Sequence, residues 1–248
     1  MEADYSALAE RITSLAADHG HGGSTRYLVG VGGGPGSGKT TLATGLAAHI
    51  NQQRQHSQSL GDREQSPPPE REKPKAMVLS MDGFHLPRST LDSFPEGKRQ
   101  EAYIRRGAPW TFDVLAFKAF MKRLRNWADS GQFGEGMKAP TFSHAAKDPV
   151  EDGVTVSSDT SIVIIEGNYV LLDQDEWRDV SALVDYRVFV DVELDEARER
   201  LARRHVEVGI EPTLEMGYKR VDANDYPNGV LIREKRVRVD EAVYSNRF

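Results

Sequence analysis

The sequence predicts an α/β protein, a three-layer α/β/α sandwich with a mainly parallel sheet and a small helical lid. Three observations predict it. Short apolar runs at 27–31, 76–80, 161–167 and 186–192 have the length of buried strands. Segments with helical spacing lie between them, and strands that alternate with helices pair in parallel through crossovers. The glycine-rich stretch GGGPGSGKTT, 32–41, joins the first run to a helical pattern.

Taken in order, Tyr5, Leu8, Ile12 and Leu15 fall at helical spacing, so an amphipathic helix comes first. YLVGV, 27–31, is a buried strand. Leu42, Leu46, Ala47 and Ile50 then resume helical spacing. Residues 51–75, NQQRQHSQSLGDREQSPPPEREKPK, are polar, rich in Gln and Pro, and nearly free of large apolar side chains. Such a segment buries too little surface to offset its ordering entropy, so a disordered polar insertion is expected. AMVLS, 76–80, is the second strand. Residues 113–127 form an amphipathic helix with Val114, Phe117, Met121 and Leu124 on one stripe, capped by Asp113 or Thr111. SIVIIEG, 161–167, is a third strand with an acid near its end, and YRVFVDV, 186–192, is a fourth. Asp195 is expected to cap a helix through ARERLARRHVEVG that Gly209 stops. NDYPNGVLI, 224–232, reads as a turn followed by a strand-like run.

Gly33, Gly38, Lys39 and Thr40 match G-x-x-x-x-G-K-[ST]. Glycines let consecutive backbone N–H groups turn toward one anion, which side chains would obstruct. The following helix adds the positive end of its dipole. Lys39 is placed to reach the β- and γ-phosphates of ATP, and the Thr40 hydroxyl to ligate Mg²⁺. Gly34, Pro35, Gly36, Ser37 and Thr41 complete the expected nucleotide-binding set. The strand before and helix after separate this stretch from an accidental glycine turn.

The chain has no N-K-x-D guanine motif and no L-S-G-G-Q stretch, which sets aside GTPases and ABC-type ATPases. Asp82, in LSMDGFHLP, follows the second strand, and ligands of parallel sheets bind beyond the carboxyl ends of strands. A carboxylate there can accept the proton of an attacking hydroxyl or hold a water on Mg²⁺. Glu166, in IVIIEGNYVLL, ends a buried strand, where an unpaired charge is costly, and suits a Mg²⁺-linked acid. Arg200, Arg203 and Arg204 stand at i, i+3 and i+4, near one helix face.

GGGPGSGKTT, SMDGFHLP, RRGAPWTFD, PTFSHAAKDPVED, IIEGNYVLL and ARERLARRHVEVGI occur in the order and spacing of one family. Over roughly residues 26–232, outside the polar insertion, the chain resembles the phosphoribulokinase, uridine kinase and pantothenate kinase family of P-loop kinases. MDGF and FSH are most similar to the pantothenate kinase branch. RRGAPWTFD and NDYPNG are more similar to nucleoside/nucleotide kinase relatives of fungi and bacteria. The resemblance implies a P-loop NTPase fold, a catalytic Asp82 and a metal-linked Glu166. It also implies acceptor contacts from His85, Arg105, Arg106, Asp113 and His144. A lid at about 195–220 would carry Arg200, Arg203 and Arg204 over the triphosphate, where a guanidinium offsets charge on the transferring phosphoryl group. The chain departs from uridine kinases in having His85 where they carry an aromatic Tyr. It departs from pantothenate kinases in lacking much of their C-terminal region.

The expected activity is transfer of the ATP γ-phosphoryl group to a hydroxyl of a small metabolite. A nucleoside acceptor is favoured over pantothenate or a sugar on resemblance alone. A P-loop ATP hydrolase or switch read by a protein partner is the alternative from another class, and a nucleotide-binding protein that has lost its chemistry is a third. The resemblance also implies homodimers. A net charge of -6 and a pI of about 5.7 argue against a nucleic-acid partner. No apolar run approaches the roughly 18 residues that span a bilayer, and the N-terminal stretch does not read as a secretory signal. With no cysteine, disulfides and thiolate metal sites are excluded. A single domain over 1–248, acting in the cytoplasm, is expected.

Overall fold

The computed structural model describes residues 2–19, 26–61, 75–130 and 136–245. The chain runs α1 (Glu2–His19), β1 (Tyr27–Gly33), α2 (Lys39–Gly61), β2 (Ala76–Ser80), α3 (Arg88–Asp92), α4 (Glu96–Ile104) and α5 (Val114–Asp129). It continues through β3 (Met137–Ser143), β4 (Asp148–Val156), β5 (Ile162–Gly167), α6 (Arg178–Ser181) and β6 (Tyr186–Asp191). It then forms α7 (Leu194–Glu207), α8 (Leu214–Ala223), α9 (Asp225–Glu234) and β7 (Glu241–Tyr244). Short 3₁₀ turns occupy Met81–Phe84 and Pro109–Thr111.

The main sheet has five strands in the order β2-β5-β1-β6-β7, and every neighbouring pair is parallel. β1 and β5 are buried at every position, which is why they read as apolar runs rather than alternating ones. Successive residues of β1 serve opposite faces. On one face, α1 and α2 pack Leu8, Ile12, Leu42, Leu46 and Ile50 against Val29, Val31 and Ile164. On the other, α5 packs Phe117, Met121 and Leu124 with Leu28, Val163 and Ile165. Each such side chain contributes about 1.5–3 kcal/mol on burial. Helices cover both faces, as the alternation of strands and helices predicts.

Three sequence expectations change. Residues 51–61 belong to α2 rather than to a disordered insertion. Gln and Arg are good helix formers, and Asn51 ties α2 to β2 through Oδ1–Ala76 N and Nδ2–Ala76 O bonds of 2.9 and 3.0 Å. The rest of the polar segment, 62–74, lies outside the described residues. Residues 225–234 form α9 rather than a turn and strand. Pro227 is tolerated because it stands in the first helical turn, where its missing N–H has no intrahelical partner to lose. Asp195 does not cap α7. Glu193 holds that position without a side-chain cap bond, and Asp195 lies in the first turn, where its charge still suits the dipole. Gly209 does end α7, with φ of 72° and an N–H bond of 3.0 Å to the Val206 carbonyl. A β3–β4 antiparallel hairpin and β7 add to what the sequence reading places.

Candidate active site

β1 is the central strand, and its carboxyl end leads straight into the glycine loop. The backbone takes φ of 76° at Gly36 and 86° at Gly38, a region that side chains disfavour. A Cβ on Gly33 would stand 2.7 Å from Ser37 Oγ and 2.7 Å from the Val190 carbonyl oxygen. The buried Ser37 hydroxyl has no protein partner. Backbone cradle, orphaned hydroxyl and the N-terminus of α2 together fit a phosphate chain.

Lys39 begins α2. Burial pulls its ammonium below the ordinary lysine range, while Glu166 and Asp82 push it back up. Part of its surface stays open to the cleft. Glu166 occupies β5 in register with Val31 on β1 and Ser80 on β2. It is 4% exposed, and its Oε2 accepts the Thr40 hydroxyl at 3.0 Å. A buried carboxylate bonded to a P-loop hydroxyl is the donor set a hard divalent cation uses beside phosphate oxygens. Among the described residues, no three acidic, His or Cys side chains form a separate metal cage.

Asp82 lies one strand further along. Ser80 caps its 3₁₀ turn, with Oγ accepting the Asp82 N–H at 3.2 Å. His85 closes the turn, and its Nδ1 lies 2.8 Å from the Asp82 carbonyl oxygen. A carbonyl only accepts, so Nδ1 carries the proton and Nε2 of the neutral ring keeps a lone pair. Burial lowers the His85 pKa, against the pull of Asp82. The ring packs 3.9 Å from Phe112 and 4.8 Å from Phe142, centroid to centroid.

These groups open onto one cleft of about 860 Å³. It is lined from the P-loop side by Lys39, Thr40, Arg200 and Arg204, and elsewhere by Asp82, Glu166, His85, Phe112 and His144. Asn168 and Asp225 are among the polar lining residues that sequence reasoning missed. Asn168 has a buried Oδ1 without a partner. Asp225 begins α9, and burial raises its pKa against Arg204, Arg220, Lys39 and Arg105. Asn168 follows Glu166 so closely that its place was legible. Asp225 was not, because its position depends on α9.

Other predicted residues are not brought in. Arg203 points away, exposed and paired with Glu199, because only Arg200 and Arg204 lie on the arc of α7 that faces the P-loop. Arg200 Nη1 bonds Ser245 Oγ at 2.9 Å and approaches the Gly36 carbonyl at 3.4 Å. Asp113 is exposed, and its Oδ1 caps α5 by accepting the Ala116 N–H at 2.8 Å. Arg105 braces α8 and α9, reaching the Ala223 carbonyl at 2.9 Å and Asn228 Oδ1 at 3.3 Å. Arg106 donates to the Leu86 carbonyl at 3.2 Å and to Asp148 at 3.4 Å. Neither of these two arginines lines the cleft.

Fold and site together define a P-loop kinase. The sequence profile of the phosphoribulokinase/uridine kinase family matches residues 28–212, and the chain belongs to that family. A Schizosaccharomyces pombe protein named as a candidate uridine kinase is 35% identical over 215 residues, covering 87% of this chain and 81% of its own. The ATP-dependent kinase YFH7 of Saccharomyces cerevisiae is 35% identical over 198 residues, covering 68% of this chain and 55% of its own. Its crystal structure superposes with a TM-score of 0.76 at 24% identity, over 97% of this chain and 98% of that one. A Silicibacter structure described as a candidate fructose transport system kinase gives a TM-score of 0.70 at 28% identity, over 93% and 98% of the two chains. No helix among the described residues is long and apolar enough to cross a membrane.

Proposed function

We propose that this chain transfers the γ-phosphoryl group of ATP to a hydroxyl of a small metabolite, in the cytoplasm, with Asp82 as the base. The observation that carries the reading is the pairing of the Thr40 hydroxyl with buried Glu166 beside Lys39, with Asp82 one strand away. The loop backbone and Lys39 hold the β- and γ-phosphates. Thr40 and Glu166 would hold Mg²⁺, whose chemistry there would be to neutralise phosphate charge. The acceptor oxygen forms a bond to the γ-phosphorus, its proton passes to the Asp82 carboxylate, and the bond to the β-phosphate oxygen breaks as ADP leaves. Arg204 and Arg200 offset charge on the moving phosphoryl group as α7 and α8 close over it. His85 Nε2 accepts a hydrogen bond from the acceptor, and His144 lines the same cleft.

A nucleoside is the favoured acceptor, supported by the name of the S. pombe relative. The Silicibacter neighbour favours a sugar as the second reading. The test is ATP turnover across nucleosides, sugars and vitamins, with product mass read beside ADP release. A product heavier by one phosphoryl group, lost in Lys39→Ala, supports the kinase. ADP release with no phosphorylated acceptor refutes it.

A further inference from the structure

We infer that the acceptor is an uncharged hydroxyl compound with an apolar portion, and that Val208 and Ile210 select it. The inference rests on the kinase reading above and narrows its acceptor.

α7 passes along the cleft from Arg200, beside the Gly36 carbonyl, to Arg204, which shares a field with Lys39 and Asp225. At a rise of 1.5 Å per residue, the chain reaches Val208 about 6 Å beyond Arg204, past the phosphate-facing cations. Gly209 then turns the backbone, and the N–H groups of Ile210 and Glu211 both bond the His205 carbonyl, at 2.8 and 3.0 Å. That turn holds Ile210 close to Val208. The two side chains line the cleft while staying 48% and 63% exposed, Ile210 and Val208 respectively. Aromatic Phe112 and His85 line the same cleft. An apolar lip and an aromatic wall within one cleft gain by covering apolar ligand surface.

Charge points the same way. The cations lining the cleft are Lys39, Arg200 and Arg204, the three that the kinase reading assigns to the phosphates. Arg105 and Arg106 are engaged with protein acceptors outside it. Asp82 and Asp225, in contrast, do line it. A carboxylate or phosphate carried by the acceptor would meet Asp82, while Asp225 already stands among Arg204, Arg220, Lys39 and Arg105, and Arg106, whose charge reaches His85, is held by the Leu86 carbonyl and Asp148 outside the cleft. Such juxtaposition excludes a ligand by cost rather than by shape.

The test uses acceptor pairs that share a hydroxyl and differ by one carboxylate: uridine and orotidine, panthenol and pantothenate, glycerol and D-glycerate. We expect kcat/KM for the uncharged member to exceed that of its acidic partner by about tenfold or more. Ile210→Arg and, separately, Val208→Arg place a cation on an already exposed lip, and each should narrow that ratio several-fold, chiefly through KM. An acidic member used as well as its neutral partner overturns the inference. So does a ratio unmoved in both variants while their Tm stays that of the wild type. ADP release without phosphorylated product from any member of any pair refutes the kinase reading itself, and the inference with it.

Discussion

Asp82 and Glu166 are carboxylates at the ends of neighbouring regions of one sheet, yet their surroundings give them different chemistry. Glu166 is enclosed in the strand layer and bonded to Thr40, so it suits a fixed charge. Asp82 sits on a 3₁₀ turn that opens to the cleft, so it can meet a substrate hydroxyl. Replacing Asp82 by Asn should therefore lower kcat by about 10² or more while ATP affinity, measured by nucleotide titration, is retained. An equal loss of both would mean that Asp82 holds the nucleotide instead. Gly36→Ala should weaken ATP binding, because φ of 76° strains any side chain and the new Cβ would stand 3.0 Å from the Ala197 carbonyl. Unchanged affinity in a nucleotide titration would contradict this. Lys39, Asp82 and Glu166 were legible in the sequence because each lies within or after a recognisable strand, toward its carboxyl end. Arg203 was not separable from Arg200 and Arg204, since i, i+3 and i+4 share an arc and only the packing of α7 shows which part of it faces the loop. Asp113 carried a capping signal as well as a substrate one, and the cap is what the structure shows.

At the scale of elements, the β3–β4 hairpin decides where Asp82 stands. It packs against the 3₁₀ turn so closely that a Cβ on Gly83 would lie 2.5 Å from the Pro140 carbonyl oxygen. Gly83→Val should push hairpin and turn apart, costing roughly 1–3 kcal/mol of stability and displacing the turn that carries Asp82. A melting curve and kcat should fall together. Wild-type values of both would show that the contact has no consequence. The hairpin was hard to read because Pro140 interrupts alternation where the register shifts between Ala139 and Thr141. α9 was misread for the opposite reason. Its Pro and Gly suggest a turn, but Asn224 and Asn228 anchor it to the backbone of Arg106 and Gly107 at 2.9 and 3.4 Å. Tertiary bonds of this kind override local propensity, and no window of sequence contains them. The buried strands were legible because two-sided burial demands continuous apolar runs.

Over the whole molecule, two lowered histidines set a pH dependence. Burial pulls both His85 and His205 below the ordinary histidine range. The unfolded chain then binds protons more readily than the folded one in acid. Stability should be flat above the ordinary histidine pKa of about 6.5 and fall as pH drops below it, until the folded-state values are reached. A Tm series from pH 8 to 5 checks this, and a Tm that rises on acidification would reverse the sign. Activity should fall on the same side, since a protonated His85 ring loses the Nε2 lone pair.

On the proposed function, the phosphoryl group goes to an organic hydroxyl under the control of Asp82. The most direct measurement is the fate of a γ-labelled phosphoryl group from ATP, followed in wild type and Asp82→Asn with the best acceptor of the panel. Label should appear in the acceptor in wild type and transfer about 10² more slowly in the variant, with nucleotide still bound. Label recovered only as inorganic phosphate, at the same rate in both proteins, would contradict it.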